Sequence, residues 1–297
     1  MTEQMKLTFW LGNYPNTAAI KSGAVRSDLV AFDFPEVKVA NRGFKPIVRE
    51  LKYDVGELAI GTYLQAKAYD KPYVLIPATV MARGQHHTIA YNPERGSLRP
   101  SDLNGRRVGV RAYTQTTGAW LRGILADDYG VDCDSVRWIT FEDPHVGEYH
   151  DPDIVERAPE GKELVQMLLD GEIDAAIVGD SLPDPRLKHL IPNPDEVARK
   201  WAETHGGVPI NHMVVVRAGV SKSRPDVVRE IFRMLRESKL AANLPATGTP
   251  LDALRFGVEA NRRSLEIIID YSQRQQLIPR RFSVDELFDD TTRALGG

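Results

Sequence analysis

Apolar positions along this chain follow two alternating patterns. Short unbroken apolar runs mark strands covered on both faces, and between them apolar residues recur every third or fourth position, as on one side of a helix. Read this way, residues 6–11, 36–40, 55–60, 73–80 and 87–91 are expected strands, with helices near 16–22, 46–51 and 62–69. The stretch "NPERGSLRPSDLNG", 92–105, is rich in Pro, Gly, Asn and Ser and marks a boundary. Beyond it the pattern resumes with a strand at 107–110, a helix at 116–129, a strand at 136–140, a helix at 161–169 and a strand at 173–178. One more apolar run, "GGVPINHMVVV" at 206–216, precedes a mostly helical tail with helices expected at 225–242, 251–253, 257–275 and 284–287. Strands alternating with helices predict an α/β protein of two lobes around mostly parallel sheets. The first lobe is read as 1–105 plus 213–297, with the tail helices packing back on it, and the second as 106–212.

Composition narrows the function classes. The 297 residues, 42% hydrophobic and 27% charged, suffice for two lobes with cores of their own. With 38 Lys and Arg against 41 Asp and Glu and no long run of like charge, neither a nucleic-acid nor a membrane-surface partner is expected. A single cysteine, Cys133, excludes an internal disulfide and suits a reducing compartment. The start "MTEQMKLTFWLGNYP" reads as a strand rather than an export signal, so a cytoplasmic location is expected. Neither a GxGxxG turn nor a P-loop is present, and no helix carries HxxxH, so no cofactor or metal is expected. A metal site would require Glu57, His212 and another histidine to meet from distant segments. A homo-oligomer is left open.

Several segments, in order along nearly the whole chain, carry a resemblance. "SDLNGRRVGVRAYTQTTGAWLRGIL" and "GKELVQMLLDGEIDAAIVGD" resemble the second lobe of a type 2 periplasmic-binding-protein fold, with a ligand cleft between two lobes. More closely, "YDVGELAIGTYL", "WLRGILADDYGV", "MLLDGEIDA", "GGVPINHMVVV" and "GVEANRRSLEIIIDYSQRQQLIPRRFSVDELF" resemble the 4,5-dihydroxyphthalate decarboxylase family. The resemblance implies loss of CO2 from a hydroxylated aromatic acid, with a small aromatic carboxylate as partner and no cofactor. One departure is Gln85 in "RGQHHTIAYN", where the family leads one to expect an arginine able to clamp a carboxylate; His87 adds a second imidazole there.

Such chemistry needs a proton donor against the ring carbon that bears the carboxylate, and a group to relieve a ring hydroxyl of its proton. Histidine, with an ordinary pKa near ~6.5, can do either. From its strand alone, His212 reads as a core or hinge histidine sharing a face with Ile210 and Val214; the resemblance makes it a catalytic candidate. His86 occupies the matching family position, and strand alternation would put His87 on the opposite face. Glu57 lies in a buried run, where a carboxylate must either pair with a Lys or Arg or take part in proton transfer. For the substrate carboxylate, Thr116 and Thr117 open a helix where hydroxyls and free N–H groups converge, or they simply cap it. Arg122 lies on the same helix. Asn13 and Tyr14 close the first strand, at the edge where α/β sheets bind ligands. Against this enzyme reading stands a solute-binding protein that holds a small carboxylate without chemistry, since fold alone decides neither.

Overall fold

The computed structural model describes residues 4–245 and 252–296. Along the chain run β1 (Met5–Trp10), α1 (Pro15–Lys21), β2 (Val30–Asp33), α2 (Phe44–Glu50), β3 (Val55–Ala59), α3 (Ile60–Ala68), β4 (Tyr73–Ala82) and β5 (Ile89–Tyr91). Then follow β6 (Arg107–Val110), α4 (Thr116–Tyr129), β7 (Arg137–Thr140), β8 (Val155–Arg157), α5 (Leu164–Asp170), β9 (Ala175–Ile177), β10 (Lys188–His189) and α6 (Pro194–His205). The chain continues with β11 (Ile210–Arg217), α7 (Ala218–Ser223), α8 (Pro225–Ala241), α9 (Val258–Arg274) and α10 (Asp290–Arg293).

Two compact units result. The first comprises Met1–Arg83, Ile210–Ile269 and Ile278–Gly297. Its five-stranded sheet has the order β2-β1-β3-β11-β4. Strand β1 runs parallel to β2 and β3, whereas β11 returns antiparallel between β3 and β4. All five residues of β3 are buried, as a central strand with both faces covered requires. Helix α8 closes one face: Val227, Ile231 and Leu235 join Phe9, Leu11, Val214 and Val216 in one core, so this tail helix does pack on the first lobe.

The second unit comprises Gly84–Pro209 and Asp270–Leu277 around a six-stranded sheet, β10-β5-β9-β6-β7-β8. Strands β6 to β9 pair in parallel, while β5 lies antiparallel to β9 and to β10. The second unit thus takes 84–105 and, from the tail expected on the first lobe, 270–277, while β11 brings 210–212 into the first, so the division of the chain differs from the expected one at each of these places. The Pro/Gly-rich boundary at 92–105 is a connection inside the second unit.

Other expectations shift locally. The strand expected at 36–40 is not formed; the edge strand is β2, where Phe32 stands edge-on to Phe9 with ring centroids 5.2 Å apart. The strand expected at 87–91 shortens to β5, because His86–Thr88 forms a 3-10 turn in which Thr88 Oγ1 donates to the Gln85 carbonyl at 2.6 Å. Of the helix expected at 251–253, Leu251 lies outside the described residues, and Asp252 and Ala253 are not helical. Strands β8 and β10 and helix α6 were not anticipated.

Candidate active site

The first unit gathers Glu57, His212 and Tyr14 at one point. In the β3–β11 ladder His212 lies opposite Ala59 and Val214 opposite Glu57. Opposed residues of an antiparallel pair share a face, so His212 and Glu57 are diagonal neighbours, within reach of long side chains. His212 Nδ1 lies 2.6 Å from Glu57 Oε1. The same oxygen accepts the Tyr14 hydroxyl at 2.7 Å, and Oε2 accepts the Gly12 backbone N–H at 2.7 Å.

Glu57 is fully buried, and its partner is a histidine, not the Lys or Arg of the simple salt-bridge reading. Two donors of fixed direction, the Tyr14 hydroxyl and the Gly12 N–H, reach the two oxygens, and a carboxylate without a proton can only accept, which assigns the donor role in the third contact to Nδ1 of His212. Among the described residues Nε2 has no hydrogen-bond partner. The imidazole is 15% exposed and stands edge-on to Phe44, ring centroids 5.1 Å apart at 90°. Glu57 has no exposed surface, whereas His212 keeps some. A buried acid against one ring nitrogen is an arrangement that can fix a histidine tautomer.

The loop after β1 supplies the rest of the carboxylate's donors. Pro15 starts α1, Thr17 Oγ1 accepts the Tyr14 N–H at 3.0 Å and donates to the Gly12 carbonyl at 2.7 Å, and Thr17 has no exposed surface. A Cβ added at Gly12 would lie 2.5 Å from the Tyr14 ring, so only glycine lets the phenol lie across this backbone. Burial, and then the charge and hydrogen bond of Glu57, raise the Tyr14 phenol well above its usual range and keep it protonated as a donor. Asn13 is exposed and its amide donates to the Val37 carbonyl at 2.9 Å. Gly12, Thr17 and Phe44 were not picked out from the sequence; the signal for the first was a glycine just past a strand, beside a buried glutamate in need of donors.

The remaining expected residues belong to the second unit. His86 is 1% exposed, neither ring nitrogen has a hydrogen-bond partner, and its ring packs near Trp201 with centroids 6.4 Å apart. Burial lowers its pKa to about 4, with the opposing charge of Asp128 only partly compensating. His86 is thus held with no nitrogen presented to solvent within its unit, in a 3-10 turn rather than in the expected strand. His87, expected on the outer side, is partly exposed and 3.9 Å from Asp180.

Arg122 is the next residue expected near the substrate carboxylate. It points inward with no exposed surface, its Nε bonded to Gln275 Oε1 at 2.7 Å and Nη2 to the Tyr113 carbonyl at 2.6 Å. The guanidinium stacks 3.9 Å from the Tyr113 ring centroid, so it braces the core of this unit. Thr116 and Thr117 open α4 as expected and are buried, with no side-chain cap from Gln115. Near them, at the carboxyl ends of β6, β7 and β9, lies a cavity of about 440 Å³ lined by Arg111, Gln115, Phe141, Glu142 and Lys162 among others. Arg111, unremarked in the sequence, pairs there with Glu142 at 3.1 Å. Among the described residues no group of three or more His, Cys, Asp or Glu side chains is arranged to hold a metal ion. No helix among them is long and apolar enough to cross a membrane.

No protein-family model matches the chain. It is 28% identical over 263 residues to the 4,5-dihydroxyphthalate decarboxylase of Comamonas testosteroni, covering 80% of this chain and 76% of that protein. It is 29% identical over 216 residues to the 4,5-dihydroxyphthalate decarboxylase of Pseudomonas putida, covering 67% of this chain and 81% of that protein. Among solved structures, the periplasmic aliphatic sulphonate binding protein SsuA of Escherichia coli superposes with a TM-score of 0.59 at 12% identity, covering 98% of this chain and 93% of that one. The resemblance read from the motifs around Glu57 and His212 is therefore borne out: the chain is similar along most of its length to 4,5-dihydroxyphthalate decarboxylases and is folded like the two-lobed periplasmic binding proteins.

Proposed function

We propose that this chain is a carboxy-lyase that removes CO2 from a hydroxylated aromatic dicarboxylate such as 4,5-dihydroxyphthalate, without a cofactor. The observation that carries the reading is His212, held at Nδ1 by a buried carboxylate and leaving Nε2 unclaimed. It is supported by the activity named for both similar proteins.

In the proposed step His212 enters as the imidazolium. A ring hydroxyl pushes electrons into the ring, and the carbon bearing the carboxylate takes the proton from Nε2. The carbon–carbon bond then breaks, its electron pair restores the aromatic ring, and CO2 leaves. Solvent returns the proton to His212, so the net change is one carboxylate and one proton consumed for one C–H and one CO2. Glu57 orients the imidazole and pairs with its charged form, Tyr14 and Gly12 hold Glu57, and Asn13 is proposed to face the substrate beside them. For the substrate's carboxylates the proposed holders are Thr116 and Thr117, at the start of α4.

The test is a panel of hydroxylated benzene- and pyridine-carboxylates, followed by CO2 release and ring absorbance, before and after exhaustive chelation of divalent metals. Release from 4,5-dihydroxyphthalate that survives chelation supports the reading. Activity that vanishes on chelation and returns with a divalent ion would remove its cofactor-free part. Saturable binding without CO2 release would replace it with the solute-binding reading, which likeness of fold supports.

A further inference from the structure

A second feature of the first unit lies on the other side of the Leu11–Gly12 peptide. Lys21 sits in the last turn of α1, where a lysine ordinarily serves the carbonyls of its own helix. Its Nζ reaches back ten residues instead and donates to the Leu11 carbonyl at 2.6 Å, in the loop before the helix. The ammonium is half-buried, and among the described residues no carboxylate lies within ion-pair distance of it; burial lowers its pKa, with the charge of Glu57 opposing. An ammonium carries three donors, and one carbonyl uses one of them.

Lys21 also lines a cavity of about 540 Å³ framed by the end of α1, by β2 and by α8, the size range of small-molecule sites. Its wall is part polar, from Gln4, Ser22 and Ser27, and part apolar: Phe32, Phe34 and Met234 line one side, the two rings lie 5.5 Å apart, and Lys21 Nζ is 5.7 Å from the Phe34 centroid. Arg26 and Asp28 are exposed at the rim, so Lys21 leaves the cavity with a net positive charge. A flat apolar body against the phenylalanines and methionine, with one anionic group beside Lys21, matches this lining.

We infer that this cavity is a binding site for a small aromatic monocarboxylate, held by Lys21 against the Phe32–Phe34 wall and separate from the Glu57–His212 pair. The carbonyl that Lys21 holds belongs to the peptide whose N–H donates to Glu57. A ligand that draws Lys21 toward itself loosens one anchor of that peptide, so occupancy is read at the pair.

The experiment uses 4-bromobenzoate. Crystals of the full chain soaked with it are examined for bromine anomalous signal, and its affinity in solution is measured by calorimetry for the wild type, Lys21→Met, Lys21→Arg and His212→Asn. Bromine is expected in the cavity in wild type and His212→Asn, with binding about tenfold or more weaker in Lys21→Met and retained in Lys21→Arg. Absence of bromine from the cavity, undiminished binding by Lys21→Met, or binding at crystal concentration only would overturn the inference. The wild-type crystal decides alone if Lys21→Met does not fold. Because binding is read directly, the result stands whether or not the chain decarboxylates anything.

Discussion

Glu57 spends both oxygens on Gly12, Tyr14 and His212, and this fixes what single substitutions do. His212→Asn removes the proton carrier from a partly exposed position, so turnover is expected to fall by about 10²–10⁴-fold with folding and substrate affinity little changed. A loss confined to stability, measured by thermal unfolding, would return His212 to the core. Glu57→Gln keeps the shape but sets an amide N–H₂ against donors. Stability is expected to fall by about 1–3 kcal/mol from the unmatched buried group, and turnover to fall with it because the imidazole loses its fixed orientation. Chemical denaturation and kcat measured on the same sample separate the two effects. Both residues were legible one at a time, a buried acid and a histidine in an apolar strand, but not as a pair. They are 155 positions apart, and their contact follows from β11 settling antiparallel beside β3. The setting of Arg122 was hidden for the same reason: its partner Gln275 lies 153 residues away, and nothing local shows the guanidinium turning inward between aromatic rings.

At the scale of elements, the β1–α1 loop carries the geometry. Gly12→Ala is expected to displace the Tyr14 ring, because a Cβ there overlaps it, and so to break the hydrogen bond to Glu57 while β1 and α1 persist. Ultraviolet difference spectra would report a phenol moved into water, with kcat reduced and circular dichroism unchanged; an unaltered tyrosine environment would contradict the assigned role of the loop. Elements with strong periodicity were readable from the chain, among them α4, α8 and β4. "EVKVA" at 36–40 alternates like a strand, yet the edge position went to Val30–Asp33, whose Phe32 joins Phe34 and Phe9. Competition for a sheet edge is settled by packing that local pattern does not contain. Helix α6 carried legible marks, Pro194 at its start, Asp195 and Glu196 in its first turn and Gly206 as its left-handed stop; the apolar-run pattern passes over it because only Trp201 is buried.

For the whole molecule, the two-lobed α/β class was legible from the order of strands and helices, whereas the division of the chain was not, because β5 joins the second sheet by pairing with β9 and β10. That sheet's unit also holds a group expected to make stability depend on acid. Burial lowers the His86 pKa to about 4, so the unfolded chain takes up a proton at a higher pH than the folded one. Its contribution is full above about pH 6.5 and is lost as pH falls toward 4, about 3 kcal/mol across the window. His86→Leu should flatten the difference in unfolding free energy between pH 7 and pH 4 relative to wild type; parallel curves would show that His86 does not titrate in this way. Fold and function are joined by the proposal that the chain decarboxylates and that His212 carries the proton. Its decisive measurement is single-turnover release of ¹³CO2 from carboxyl-labelled 4,5-dihydroxyphthalate, compared between wild type and His212→Asn at matched occupancy. Release by the wild type, slowed about 100-fold or more in the variant, is the expected outcome; release at equal rates, or none from the wild type with substrate bound, would refute the proposal.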